Sequence, residues 1–92
     1  MAMTPERAQT IALRALAHIA EDQRRLDGLM TMTGLEESEL RARPDDPMLL
    51  AGVLDFLLGH EPSLLEFCEA CGIDPVEPGR ARALLPGAAE PM

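Results

Sequence analysis

The chain has 92 residues, 47% of them apolar, and a formal charge of -8 from sixteen acidic and eight basic residues, every basic one an arginine. That length suits one small domain burying roughly 60–65% of the surface its unfolded form exposes, and so acidic a surface repels phosphate backbones, which sets nucleic acid aside as a partner. Only Phe56 and Phe67 are aromatic, and Trp and Tyr are missing, so leucine and alanine must build the core and the composition predicts an all-α fold.

Residues 1–4 are expected to be a loose N-terminus. The opening MAMTPERAQT has no apolar h-region of the kind a signal peptide carries, which makes the cytoplasm the default compartment. No run reaches the roughly 18–20 apolar residues that cross a bilayer, because Asp55 interrupts the longest one, so no membrane partner is expected. Four helix starts share an acceptor residue followed by proline: Thr4-Pro5, Asp46-Pro47, Glu61-Pro62 and Asp74-Pro75. Proline suits the first helical position, where an amide lacks an intrahelical partner in any case. Gly34, Gly59 and Gly72 fall where helices should stop, each free to take the left-handed conformation that closes a last turn.

These marks predict five or six short helices in a compact bundle spanning residues 5–85. The first runs from Pro5 to Ala20 with Ala8, Ile11, Ala12, Ala15, Leu16 and Ile19 on one stripe. The second starts near Asp22, buries Leu26, Leu29 and Met30, and ends at Gly34; a short third spans Glu36 to Ala42. The fourth, Pro47 to Leu58, carries leucine, valine and phenylalanine around more than half its circumference. A helix so apolar is either the centre of the bundle or partly turned toward a partner. Its lightly built strip is Met48, Gly52, Asp55 and Gly59. The fifth covers Pro62 to Cys71, the sixth Val76 to Leu85, and a loose tail is expected over 86–92.

A shift of 38 residues lays Ile11 on Leu49, Leu16 on Leu54, Ile19 on Leu57, Leu29 on Phe67 and Gly34 on Gly72. Both halves then read helix, helix, glycine stop, short helix. The echo points to two related three-helix units, residues 11–36 and 49–74.

Cys68 and Cys71, in CEACG, have the spacing of a redox dithiol or half a zinc site. Redox use needs a depressed thiol pKa, yet Gly72 puts the pair at a helix carboxyl end with Glu66 and Glu69 close by, and both effects favour the neutral thiol. A zinc site would need His60 and His18 to complete it. Helical spacing instead groups the cysteines with Leu64 as small core residues. Both histidines read as surface or capping residues without a paired nucleophile, and Ser38 and Ser63 lack any nucleophile-elbow motif. Acids at 36, 37 and 39 and at 45 and 46 read as helix caps rather than a cation site. Asp55 either faces solvent or anchors an arginine such as Arg14 or Arg82; the sequence leaves both open.

The blocks ALRALAHIAED, GLMTMTGLEESELRAR, VLDFLLGHEPSLLEF and CGIDP followed by RARALLPG resemble the family called domain of unknown function 3572, along nearly the whole chain. The likeness implies a small helical cytoplasmic protein of alphaproteobacterial type and carries no activity, cofactor or catalytic residue. It does not rest on Cys68 and Cys71. The expected function is therefore non-enzymatic: an interaction module, without a cofactor, that binds another protein or itself through Met48, Gly52 and Asp55 beside the fourth helix. The alternative is a small metal or ligand binder using Cys68, Cys71 and His60.

Overall fold

The computed structural model describes residues 3–86. Among them are six helices and no strand: α1 Pro5–Ala20, α2 Gln23–Thr33, α3 Glu37–Ala42, α4 Pro47–Leu58, α5 Glu61–Cys71 and α6 Glu77–Ala83. The loose segments expected at both ends fall largely on residues 1–2 and 87–92, which lie outside the described residues. Met3 packs against the core and Thr4 caps α1, its hydroxyl accepting the Arg7 amide at 3.1 Å.

The predicted punctuation accounts for most helix ends. Asp22 Oδ1 accepts the Arg24 amide at 2.8 Å and Asp46 Oδ1 the Met48 amide at 2.9 Å, each satisfying a donor that a helix start leaves unpaired. Gly34 and Gly72 close α2 and α5 in the left-handed conformation, at φ 74° and 65°. Three expectations need correction. Gly59 stays right-handed at φ -79°, because the chain turns directly into α5 and the His60 amide bonds Leu57 O at 3.1 Å. α5 begins one residue early, with His60 in the capping position and Pro62 in its first turn. Asp74-Pro75 opens a turn rather than a helix: Asp74 accepts the Val76 and Glu77 amides at 3.0 and 2.9 Å, and α6 starts only at Glu77 and ends at Ala83.

α1 and α4 lie side by side at the centre, α6 packs across both, and α2 and α5 flank them. Ile11, Ile19, Leu50, Val53, Leu54, Leu57 and Phe67 are fully buried between these helices. Each such side chain contributes roughly 1.5–3 kcal/mol through burial. The apolar circumference of α4 is thereby largely used by the bundle, leaving Met48 and Leu58 as its exposed large hydrophobics. No single helix among the described residues is long and apolar enough to cross a membrane, and the apolar pair α4 and α5 meets at a bend of 110°.

The shift of 38 residues carries α2 onto α5 end for end and ends α1 and α4 at equivalent positions. The third helices differ. α6 buries Pro78 and Ala81 against α1 and α4, whereas α3 buries Leu40 alone and packs more lightly on the bundle. Beside α3 the bundle therefore stays open.

Candidate functional site

A cleft of about 380 Å³ occupies that opening between α2, α3 and α4. Met48, Gly52 and Asp55, placed on one strip of α4 by helical spacing, line one wall. The opposite wall comes from Met32 and Thr33 of α2, Leu35, and Glu39 and Arg43 at α3. Met48 is 65% and Met32 50% exposed, so the rim presents two flexible, polarizable side chains. Gly52 keeps the floor low, since a Cβ there would stand 3.3 Å from the Thr33 methyl. One turn further along the same crossing, Gly28 admits the Phe56 ring, whose edge lies 3.2 Å from where a Cβ would sit. α2 and α4 thus cross antiparallel at close range through two glycines.

Asp55 stands at the end of the cleft and holds α6. Arg82 Nε donates to Oδ1 at 2.7 Å and Nη2 to Oδ2 at 3.2 Å, while Nη1 donates to Leu85 O at 3.3 Å and Pro86 O at 3.0 Å. Of the two readings the sequence left open, the anchor holds, although Asp55 is also half exposed. Glu36, Glu37 and Glu39 lie at the start of α3, and Asp46 caps α4. Glu39 Oε1 accepts the Glu36 amide at 3.2 Å, and Arg43 lies 3.9 Å from Asp46.

The residues of the metal alternative are not brought together. His60 occupies the residue position before α5 while Cys68 and Cys71 sit in its last turns, about 12–17 Å further along the axis. Among the described residues no three His, Cys, Asp or Glu side chains converge. Cys68 is buried and Cys71 partly so, both unpaired. Burial pushes the Cys68 thiol up from its ordinary value, with Asp74, Cys71 and Glu77 adding to the shift. The neutral thiol is the stable form there.

His60 does have a hydroxyl partner, contrary to the sequence reading: its Nδ1 lies 2.7 Å from Ser63 Oγ across one helical turn. No other hydrogen bond of the ring is present among the described residues. His60 and Ser63 line a second, larger cleft of about 640 Å³ with Arg24, Arg25 and Phe56. Sequence reasoning could not assemble this group, because α2 and α5 meet only in the folded bundle.

His18 is not a surface residue. It is 8% exposed, tilted at 55° against Phe67 with ring centroids 5.6 Å apart, because α5 crosses the last turn of α1. Arg25 donates to His18 O at 3.1 Å and pairs with Glu66, whose Oε1 lies 4.0 Å from His18 Nε2. Burial lowers the imidazole pKa from 6.5, Arg25 lowers it further, and Glu66 and Glu21 oppose the shift. The unfolded chain consequently binds this proton more readily, so stability present above pH 6.5 is lost as pH falls through that value toward the lower folded pKa. In urea titrations from pH 8 to pH 5.5, the wild type should lose stability relative to His18→Gln. Parallel profiles for the two would show that His18 is not held neutral.

A small all-α bundle with an open, methionine-rimmed cleft is the class these features define. The family model described as protein of unknown function (DUF3572) matches residues 5–88, and the chain belongs to that family. No curated protein matches the chain, and neither does any solved structure.

Proposed function

We propose that this protein is a non-enzymatic interaction module that docks a partner in the cleft beside α4. The cleft itself carries this reading: an apolar floor and two exposed methionines, rimmed by Glu39, by Asp46 near Arg43 and by Asp55 on Arg82. Such a lining accepts an apolar side chain flanked by cationic groups, and methionine adapts its shape to the guest. The volume is that of an ordinary binding pocket, which spans roughly 300–1,000 Å³. Two unpaired thiols suit a reducing compartment, which supports a cytoplasmic location.

Met48 is the side chain with which to test the reading. It is 65% exposed, so replacing it leaves the core intact. Met48→Arg should keep the urea midpoint of the wild type while reducing, by about tenfold or more, the near-stoichiometric protein recovered by mild crosslinking from native lysate. Equal recovery of the same proteins by both forms would sink the proposal.

A further inference from the structure

The two clefts lie at either end of the α2–α4 contact and share Met32. On α2, Arg24, Gly28 and Met32 recur every four residues, and on α4 Met48, Gly52 and Phe56 do the same, so each set forms a single stripe. The contacts of Gly28 with Phe56 and of Thr33 with Gly52 set the stripes side by side and antiparallel. Met32 lines both clefts and marks the seam between them.

The two ends differ in sign. In the first cleft Asp55 is paired with Arg82 and Asp46 lies 3.9 Å from Arg43, which leaves Glu39 as its carboxylate without an ion pair among the described residues, whereas the second is lined by Arg24 and Arg25 and by no carboxylate. In a chain of net charge -8 that separation is against the overall trend. Arg25 is paired with Glu66, but Arg24 has no ion pair among the described residues. The second cleft is also the more apolar at its base, with Phe56 seated on Gly28.

A surface that is acidic at one end, basic at the other and apolar at its midpoint is complementary to itself under a two-fold rotation, because each end then meets its opposite twice. With the axis near Met32, the Arg24 end of one copy lies on the Glu39 and Asp46 end of the other. The exposed Met48 then faces the partner's second cleft.

We propose that the partner docked beside α4 is a second copy of this chain, paired isologously along the α2–α4 contact with Met32 near the two-fold axis. This rests on the reading of the first cleft as a docking surface, and it adds the identity of the partner and the orientation of the pair.

Sedimentation equilibrium of the full chain tests it. The wild type should approach twice the 10.0 kDa monomer mass as concentration rises. Arg24→Glu places a carboxylate at both ends and Glu39→Arg an arginine at both; each alone should weaken pairing about tenfold or more. An equimolar mixture of the two variants restores opposite charges at both contacts, so it should recover dimer that neither variant forms alone. Circular dichroism of each variant separates lost pairing from lost fold, and recovery on mixing is a result that unfolded variants cannot give. A wild type that remains monomeric throughout overturns the second-copy assignment. Loss of a different captured protein in Met48→Arg would then keep the docking role while replacing the partner. A dimer indifferent to both charge reversals, or one not restored by mixing, overturns the proposed orientation.

Discussion

Phe67→Ala should lower the free energy of unfolding by about 3–5 kcal/mol, read as a lower urea midpoint at an unchanged denaturant slope. Phe67 is fully buried, and it heads the largest such side chains in the protein. On α5 only Phe67 and Cys68 are buried, so one ring supplies most of the apolar attachment of that helix. It also forms the wall against which His18 is tilted. Truncation leaves a cavity bordered by the end of α1, and side chains held in close packing cannot refill it. A 92-residue domain is expected to have a total stability on the order of 5–14 kcal/mol, so the loss is a large share of the whole. Leu65, on the same helix but 44% exposed, provides the contrast. A cost near 1 kcal/mol or less for Phe67→Ala would mean that α5 is held by something other than its buried face.

The elements were legible because their signals are local. A proline after an acceptor, a glycine after an apolar stripe and three- and four-residue spacing are all written within one helix, and α1 and α4 begin and end where those marks put them. The errors arise where the same local mark has two physical uses. Asp-Pro caps α4 at Asp46 but forms a turn at Asp74, where the carboxylate is spent on the Val76 amide. Glycine ends α2 and α5 with positive φ, but at Gly59 the immediate start of α5 leaves no room for a separate stop.

The candidate site was half legible for the same reason. Met48, Gly52 and Asp55 share a strip of α4 by periodicity alone, so one wall of the first cleft could be read. Met32, Leu35 and Glu39 reach the other wall only through the α2–α4 crossing, which depends on Gly28 and Gly52 accepting Phe56 and Thr33. His18 shows the limit most directly. At the margin of the α1 stripe its exposure is decided by whichever helix covers that edge, and no residue of α1 records that α5 does so.

Asp55→Arg should destabilise the fold by about 1–3 kcal/mol, below the figure for a fully buried pair because water reaches half of the carboxylate. The Arg82 side chain is only 14% exposed and gives two donors to Asp55, and its remaining group reaches Leu85 O and Pro86 O beyond the end of α6. A second guanidinium in place of the carboxylate removes both acceptors and adds a like charge beside one that water screens poorly. Asp55→Asn, which retains one acceptor and the shape, should fall between wild type and Asp55→Arg. The Arg82→Met background isolates the pair: once the arginine is gone, Asp55→Arg should cost little, and the difference between the two backgrounds measures the coupling. A coupling near zero would mean that Pro78 and Ala81 alone hold α6, leaving Asp55 a cleft residue only. A coupling of 1 kcal/mol or more would give Asp55 two roles, so a binding loss in Asp55→Arg would mix a loosened α6 with an altered cleft, whereas the same loss in Met48→Arg reports the cleft itself.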